Sequence, residues 1–400
     1  MAQRTLIILT HSFPVKSGEN WLNEEVKHIN GDWADIQVFC EANVSAKSLP
    51  EYPQFNFLPN AFIYKRSWVA FFDASFINAL FYESLELIRK RKFFKTIKDS
   101  VSVLMRAYSM AKWFNEKYIE KGKKYLLYCY WGDELTIMAC LLKTMNSNVS
   151  VVCRVHGIDV YEERTRLKHI QFRYFQLKHL KAMFSVSRAG ADYITKRYPK
   201  FAKKIKVSYL GTGEVKLNPI PSKQRLELIT CALLRNVKRM ELIVDILKHV
   251  KAPTRWTFAG GGTGFEEFKQ KCKNLPPHIE TDLGGILPQN ELQKLYEERP
   301  LHYYLSVSST EGLPVAMMEC ISHGVPIIST DVGGCKEIVT EKTGILIPVD
   351  FKPEEVAKLL DELYLNYDYS PEKRKSIHDE WNRKFNARNN YKDFYKEIEQ

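Results

Sequence analysis

Several features that would fix a chemistry at a glance are missing from this sequence. Its eight cysteines, at 40, 129, 140, 153, 231, 272, 320 and 335, form no C-x-x-C pair. That spacing excludes a zinc site or a disulfide framework and fits a reducing compartment. No G-K-[ST] follows a glycine-rich stretch, so there is no P-loop. The first residues, MAQRTLIILTHSFP, hold only about five apolar residues in a row, too few for a signal peptide. Uninterrupted runs of about 18 apolar residues are absent, so no segment is expected to span a bilayer. Internal repeats and low-complexity tracts are also absent. The expectation is a cytoplasmic protein.

What is present is a globular composition, 45% hydrophobic and 26% charged. The 400 residues exceed one ordinary core and suit two domains. Net charge is +12, and residues 61–130 hold fourteen Lys or Arg against six Asp or Glu. In that segment SWVAFFDASFINALFYESLELIRKRKFFKTIK has an aromatic-aliphatic side followed by Arg89, Lys90, Arg91 and Lys92. Such a helix suits an anionic bilayer surface, with Phe71, Phe72, Phe93 and Phe94 as wedges, or it is a core helix with a solvated basic face.

Short β-branched runs alternate with helical stretches along the whole chain, the pattern of parallel α/β sheets. The reading places a first Rossmann-like domain at 1–212, a linker with two prolines at 213–224 and a second Rossmann-like domain at 225–375. A C-terminal helix, 376–400, is expected to pack back on the first domain. Residues 164–181 read as a basic helical stretch.

Chemistry concentrates between Tyr304 and Val339, YLSVSSTEGLPVAMMECISHGVPIISTDVGGCKEIV. An apolar strand ends at Ser308, Pro314 opens a helix, and Gly324 closes it. Glu311 precedes the helix and Glu319 lies about one and a half turns inside it, so both reach the mouth of a cleft at a strand's carboxyl end. The helix amides form an anion site. A phosphate flanked by two polyols would suit them. Elsewhere, polar turns close other strands: Ser17-Gly18-Glu19, His156-Gly157-Ile158-Asp159, a basic turn with Arg235, Lys238 and Arg239, the run Gly260-Gly261-Gly262-Thr263-Gly264, and Gly284-Gly285.

Glu311 and Glu319, with EGLP at the start of their interval, resemble the E-x7-E motif of retaining glycosyltransferase family 4. The trailing GVPIISTDVGGCKEIV and the earlier RVHGID are similar to that family's stretches. The resemblance implies a GT-B fold, two Rossmann-like parallel-sheet domains facing across a cleft. It implies transfer of a sugar, with retention, from a UDP- or GDP-linked donor to a glycan or lipid-linked acceptor in cell-surface polysaccharide synthesis.

By the same resemblance, Glu311 holds donor sugar hydroxyls, Glu319 the ribose, and Lys238 the diphosphate. Gly261, Gly262, Gly285, Gly312, Leu313 and Val315 line the donor. His156 faces the donor sugar, while Gly18, Glu19 and Asp159 stand on the acceptor side. The family's usual arginine is replaced by Leu233, with Arg235 two residues later as a candidate substitute. The chain has no D-x-D triplet, so no metal or other cofactor is expected beyond the nucleotide sugar. Nucleic acid is not an expected partner. Peripheral contact with an anionic membrane through residues 61–124 is. The competing readings are a GT-B epimerase or phosphorylase, and a non-catalytic scaffold binding membranes or nucleic acid.

Overall fold

The alternating apolar runs fold as two all-parallel sheets in the computed structural model, which describes residues 4–14, 19, 21–42, 52–64, 68–366 and 368–400. The strands are β1 (Arg4–Thr10), β2 (Trp33–Cys40), β3 (Asn56–Leu58), β4 (Tyr125–Cys129), β5 (Val149–Val155), β6 (Ala182–Ser185), β7 (Ile205–Val207), β8 (Leu226–Cys231), β9 (Thr254–Ala259), β10 (Ile279–Gly285), β11 (Tyr303–Ser306), β12 (Ile327–Thr330) and β13 (Gly344–Ile347). The helices are α1 (Leu22–Val26), α2 (Ala74–Arg89), α3 (Phe93–Tyr118), α4 (Glu134–Met145), α5 (Arg173–His179), α6 (Arg188–Arg197), α7 (Met240–His249), α8 (Phe265–Cys272), α9 (Gln289–Glu298), α10 (Val315–Ser322), α11 (Cys335–Ile338), α12 (Pro353–Asn366), α13 (Pro371–Phe385) and α14 (Ala387–Glu399).

The first sheet runs β3-β2-β1-β4-β5-β6-β7 and the second β10-β9-β8-β11-β12-β13. Each order reverses beside its first strand, between β1 and β4 and between β8 and β11. Open α/β sheets bind ligands outside the strands' carboxyl ends at such a reversal. Period-two alternation fills both faces of the first sheet. Ile7 and Leu9 of β1 pack with Leu104, Ile137, Leu141 and Phe175, whereas Leu6 and Ile8 pack with Leu22, Val26, Phe394 and Tyr395. In the second sheet Leu226 and Leu228 meet Ile243 and Leu247 of α7 and Leu360 of α12. Each such fully buried aliphatic stabilises the fold by about 1.5–3 kcal/mol before entropy is counted.

The chain divides into one compact unit running to Ser208 and rejoined by Tyr391–Gln400, and a second spanning Tyr209–Asn390. The stretch expected as a linker, 213–224, falls inside the second unit. Buried Asn218 explains this, because its Nδ2 donates to the carbonyls of Tyr296 (2.5 Å) and Arg299 (2.8 Å) while its Oδ1 accepts from Leu301 N (2.9 Å). The C-terminal stretch expected to pack back on the first domain, 376–400, divides between α13 and α14. Arg374 of α13 donates to Leu301 O at 2.6 Å, and Trp381 Nε1 donates to Thr212 Oγ1 at 2.7 Å, which holds α13 in the second unit. Only the end of α14 joins the first.

Two further expectations change. Of residues 164–181 only Arg173–His179 is an α-helix, because Phe172 takes a left-handed conformation (φ 58°) and its amide donates to Glu83 Oε2 at 2.8 Å. The basic cluster after α2 is not all solvated. Lys90 Nζ lies 2.8 Å from Glu86 and 2.5 Å from Glu162, and Lys92 Nζ donates to Lys168 O. Of the four phenylalanines expected as wedges, Phe72 and Phe94 are exposed while Phe71 and Phe93 are half-buried.

Candidate active site

In the second domain, the loops after β8 and β11 meet at the topological reversal. After β8 the backbone presses against Gly260, where a Cβ would stand 1.8 Å from Ala232 O. A short 3-10 turn, Asn236–Lys238, then ends at Arg239 in the left-handed region (φ 51°). Arg239 is engaged by backbone carbonyls. Its guanidinium donates to Val307 O (2.6 Å) and Val349 O (3.0 Å), tying the loops after β11 and β13 to this turn. Ser309 N adds a bond to Val237 O at 2.8 Å. The result is that Lys238 Nζ stands 2.5 Å from Glu311 Oε1. Glu311 is nearly buried and Lys238 half-buried, so the pair keeps much of its attraction but needs its remaining polar atoms satisfied.

A glycine pair that sequence reasoning left without a role shapes the Glu311 loop. Gly334 N donates to Gly312 O at 2.8 Å. Gly333 has φ +54°, and a Cβ there would stand 2.0 Å from Glu311 O; at Gly334 it would stand 2.3 Å from Gly312 O. Adjacent glycines two residues beyond a buried strand were the available signal.

α10 opens at Val315 behind Pro314, with no side-chain cap, so its amide end is left for another partner. Glu319 lies inside this helix, and Gln289 Nε2 donates to its Oε1 at 2.8 Å. Burial outweighs that bond and raises the Glu319 acid to about 6. Cys231, at the end of β8, lies within electrostatic reach of both Glu319 and Lys238. Gln289 was missed, since nothing in its sequence neighbourhood marks it. Gly262 (φ +142°) and Gly285 (φ +72°) hold conformations suited to glycine, and Gly261 O accepts from Leu234 N at 2.7 Å.

Arg235 is not brought to the Lys238–Glu311 pair. It lines a separate groove of about 500 Å³ with Asn236, Glu241, Thr263 and Glu267. Leu233, where the family's usual arginine was expected, is exposed.

In the first domain His156 follows β5 and is buried. Its Nε2 lies 3.2 Å from Tyr130 O, and its ring centroid stands 4.4 Å from that of Trp131. Burial, with Arg154 nearby, holds the imidazole down to about 3, so it is neutral. Asp159 was expected on the acceptor side. Its two oxygens accept backbone amides, His156 N at 2.5 Å and Gly132 N at 2.7 Å, which pins the loop after β5 to the loop after β4. Burial raises its acid to about 7.

Glu19 is buried and spent in the same way. It accepts from the amides of His11 (3.2 Å), Ser12 (2.8 Å) and Phe13 (2.6 Å) and from Trp131 Nε1 (2.6 Å). The carboxylate thereby fills a backbone nest of the kind that binds anions. Gly18 lies outside the described residues. His11 bridges Glu41 and Asp133, the latter at 2.5 Å. Burial opposes its charge, but the two carboxylates prevail and hold the imidazolium up to about 10. A lone histidine after β1 gave no sequence signal for this clamp.

Among the described residues Glu86, Glu162 and His169 lie close enough to share a metal ion, but Lys90 Nζ already reaches all three. No helix among the described residues is long and apolar enough to cross a membrane.

Residues 217–381 match the family model described as "Glycosyl transferases group 1". The putative colanic acid biosynthesis glycosyltransferase WcaL of Escherichia coli K12 is 27% identical over 206 residues, 48% of this chain and 50% of that protein. The O-antigen biosynthesis glycosyltransferase WbnH of Escherichia coli is 28% identical over 138 residues, 34% of this chain and 36% of that one. The chain thus matches about half the length or less of these curated relatives. Among solved structures, the lipopolysaccharide outer core galactosyltransferase WaaB superposes with TM-score 0.69 at 13% identity, covering 98% of this chain and 99% of that one. HepE from Anabaena, solved with UDP, superposes with TM-score 0.66 at 12% identity over 98% of this chain and 99% of that one. Residues 217–381 thus resemble the group 1 glycosyl transferases, and the chain as a whole carries the GT-B fold.

Proposed function

We propose that the protein is a retaining glycosyltransferase that moves a sugar from a UDP- or GDP-linked donor to a glycan or lipid-linked acceptor in cell-surface polysaccharide assembly. The observation that carries this reading is the Lys238–Glu311 pair at the β8/β11 reversal, beside the uncapped start of α10. Departure of a nucleoside diphosphate builds negative charge on its phosphate oxygens, and that charge needs fixed positive partners. Lys238 and the amides of Gly312, Leu313 and Val315 supply them. Glu311 then exchanges its ammonium partner for sugar hydroxyls, and Glu319 accepts from the ribose. Gly261, Gly262 and Gly285 let backbone approach the nucleotide.

Further support comes from relatives named for colanic acid and O-antigen biosynthesis, and from HepE solved with UDP-glucose. On the acceptor side we assign His156 to hydrogen bonding, as a neutral imidazole, with Asp159 and Glu19 as positioning residues that order its loop. With no carboxylate nucleophile assigned, the acceptor oxygen attacks the anomeric carbon from the face the diphosphate leaves. The new glycosidic bond forms as the anomeric carbon–phosphate oxygen bond breaks, and the acceptor proton passes to that phosphate oxygen. The enzyme works in the cytoplasm, peripheral to the membrane through residues 61–124.

The test is a thermal-shift panel of UDP-, GDP- and ADP-sugars followed by turnover of the best donor. A ligand that binds only the folded state raises its stability. Glu319→Ala is expected to abolish the shift and the turnover while remaining folded. Wild-type turnover in that variant, or a covalent glycosyl-enzyme on a carboxylate, would overturn the assignment.

A further inference from the structure

A charged cluster lies fully buried beside His156. Arg154 stands two residues earlier on β5, so along an extended chain the two side chains project to the same side of the sheet. Its guanidinium donates from Nε to Tyr128 Oη at 2.8 Å and from Nη1 to Ser208 O at 3.1 Å. Its carboxylate partner is Glu25 of α1, whose Oε1 lies 3.5 Å from Nη2 and also accepts from Tyr128 Oη (2.8 Å) and Tyr395 Oη (3.3 Å). The C-terminal helix completes the seat, with the ring centroids of Phe394 and Tyr391 at 4.1 and 5.8 Å from the guanidinium carbon.

A buried ion pair adds little stability over apolar side chains of equal volume. Here the pair is also incomplete, because its contact is long and Glu25 Oε2 is buried with no hydrogen-bond partner among the described residues. What the cluster supplies is a fixed positive charge, since a guanidinium stays protonated at any working pH. Beside that charge, His156 Nε2 lies 3.2 Å from Tyr130 O, and a carbonyl can only accept, so the ring proton sits on Nε2. Nδ1 then carries the lone pair. A second proton there would place an imidazolium, already disfavoured by burial, next to a like charge.

We propose that Arg154 is a positioning residue for His156, whose buried charge keeps the imidazole neutral with its proton on Nε2 and leaves Nδ1 as a hydrogen-bond acceptor. Tyr391, Phe394 and Tyr395 of the C-terminal helix thereby serve the site as the seat of that charge, besides closing the first sheet's core. The other groups around the ring do not reverse the effect. Tyr130, Trp131 and Trp21 pack against it, with centroids at 5.0, 4.4 and 6.5 Å. Glu19 is bonded to Trp131 Nε1 and to loop amides, Asp159 to the amides of His156 and Gly132, and Glu25 to tyrosines, so each of these carboxylates is engaged away from the imidazole nitrogens. The consequence for the substrate rests on the reading that His156 contacts a sugar: the ring receives a hydroxyl hydrogen at Nδ1 and donates none.

The experiment is nitrogen NMR of the full chain carrying isotope-labelled histidine, with the His156 signals identified by their loss in His156→Gln. Wild type is expected to show a protonated Nε2 and a bare Nδ1, with no titration between about pH 8 and 4.5. Glu25→Gln combined with Arg154→Met removes both charges at nearly constant volume, an exchange that buried pairs tolerate. It should raise the His156 midpoint by at least about one unit, tenfold in proton affinity. Glu25→Gln alone leaves the guanidinium unopposed and should raise nothing. At saturating donor the double variant should also acquire an acid limb in kcat that wild type lacks, because its His156 becomes charged there. A bare Nε2 in wild type, an unmoved midpoint in the double variant, an equal rise in Glu25→Gln alone, or a raised midpoint with no acid limb would each overturn the inference. The wild-type measurement decides the tautomer whether or not the variants fold. It needs neither donor nor acceptor, so a sugar panel without turnover sinks the transferase reading and leaves this result standing.

Discussion

At the residue scale, burial pushes ionisable groups of each domain away from their ordinary values. Glu319 has its acid raised to about 6 by burial. If its carboxylate accepts the ribose hydroxyls, donor affinity requires ionisation. The donor KM should therefore rise by roughly tenfold per pH unit below about 6, with kcat less affected. Initial rates across pH 4.5 to about 8 check this, and Glu319→Gln should flatten the profile at a uniformly high KM. His156 acts on stability. Its folded value of about 3 lies below its ordinary 6.5, so the unfolded chain binds the extra proton between those limits. Stability from this group is present above pH 6.5 and is lost as pH falls toward 3, at about 1.4 kcal/mol per unit of displacement. Asp159, raised from 3.8 to about 7, works the other way, its contribution present at low pH and lost as pH rises through 7. Urea unfolding of His156→Gln at pH 5 and pH 7 isolates the first contribution. The variant should lose the acid-side weakening of wild type.

At the scale of elements, the glycine pair after β12 is a brace for the Glu311 loop. Gly333→Ala combines a positive φ with a Cβ 2.0 Å from Glu311 O, so it should cost about 2–4 kcal/mol and weaken UDP binding at least about tenfold. Calorimetry and titration with UDP measure both. Wild-type affinity in a folded variant would show that the loop does not need this support. The end of α14 is a second such element. Tyr395 is fully buried against Tyr128 and accompanies Phe394 in the first sheet's core. Tyr395→Ala should lower stability by about 3 kcal/mol, read as a shift of the first domain's unfolding transition.

These elements also show what the sequence could convey. The Glu311–Glu319 spacing, its strand and its helix were legible because their signals are local: a β-branched run, a proline, a glycine stop. Glu19 was legible as important but not as buried, because Trp131, one of its partners, lies 112 residues away. The His11 clamp was silent for the same reason, with Asp133 at 122 residues' distance. In α2 both sides are apolar, so periodicity alone did not tell Phe76, which is buried, from Phe81, which is exposed. The inward turn of Lys90 depended on Glu162 and His169, the second of which lies in the stretch 164–181 that had read as helical.

At the scale of the whole molecule, the proposed donor chemistry falls in one unit and the proposed lipid surface in the other. Hydrogen exchange should therefore separate them. Saturating UDP is expected to protect amides in 232–239, 260–264, 284–286 and 309–316, leaving α2 and α3 unchanged, whereas anionic vesicles should protect residues near 72–94 and leave those four loops unchanged. Protection of α2 by UDP alone would refute this division of labour.

The return of Tyr391–Gln400 to the first unit has a consequence for biosynthesis. The intervening unit spans Tyr209–Asn390. At about 5–20 residues per second of translation, roughly 10–40 s pass between completion of the first sheet's last strand and emergence of the residues that close its lower face. Throughout that interval the growing chain carries an apolar sheet surface, around Leu6, Ile8, Val38 and Leu126, whose natural cover has not been made. The nascent first domain is thus an expected client for a chaperone, and a chain stopped before Tyr391 would lack the cover of the domain that was translated first.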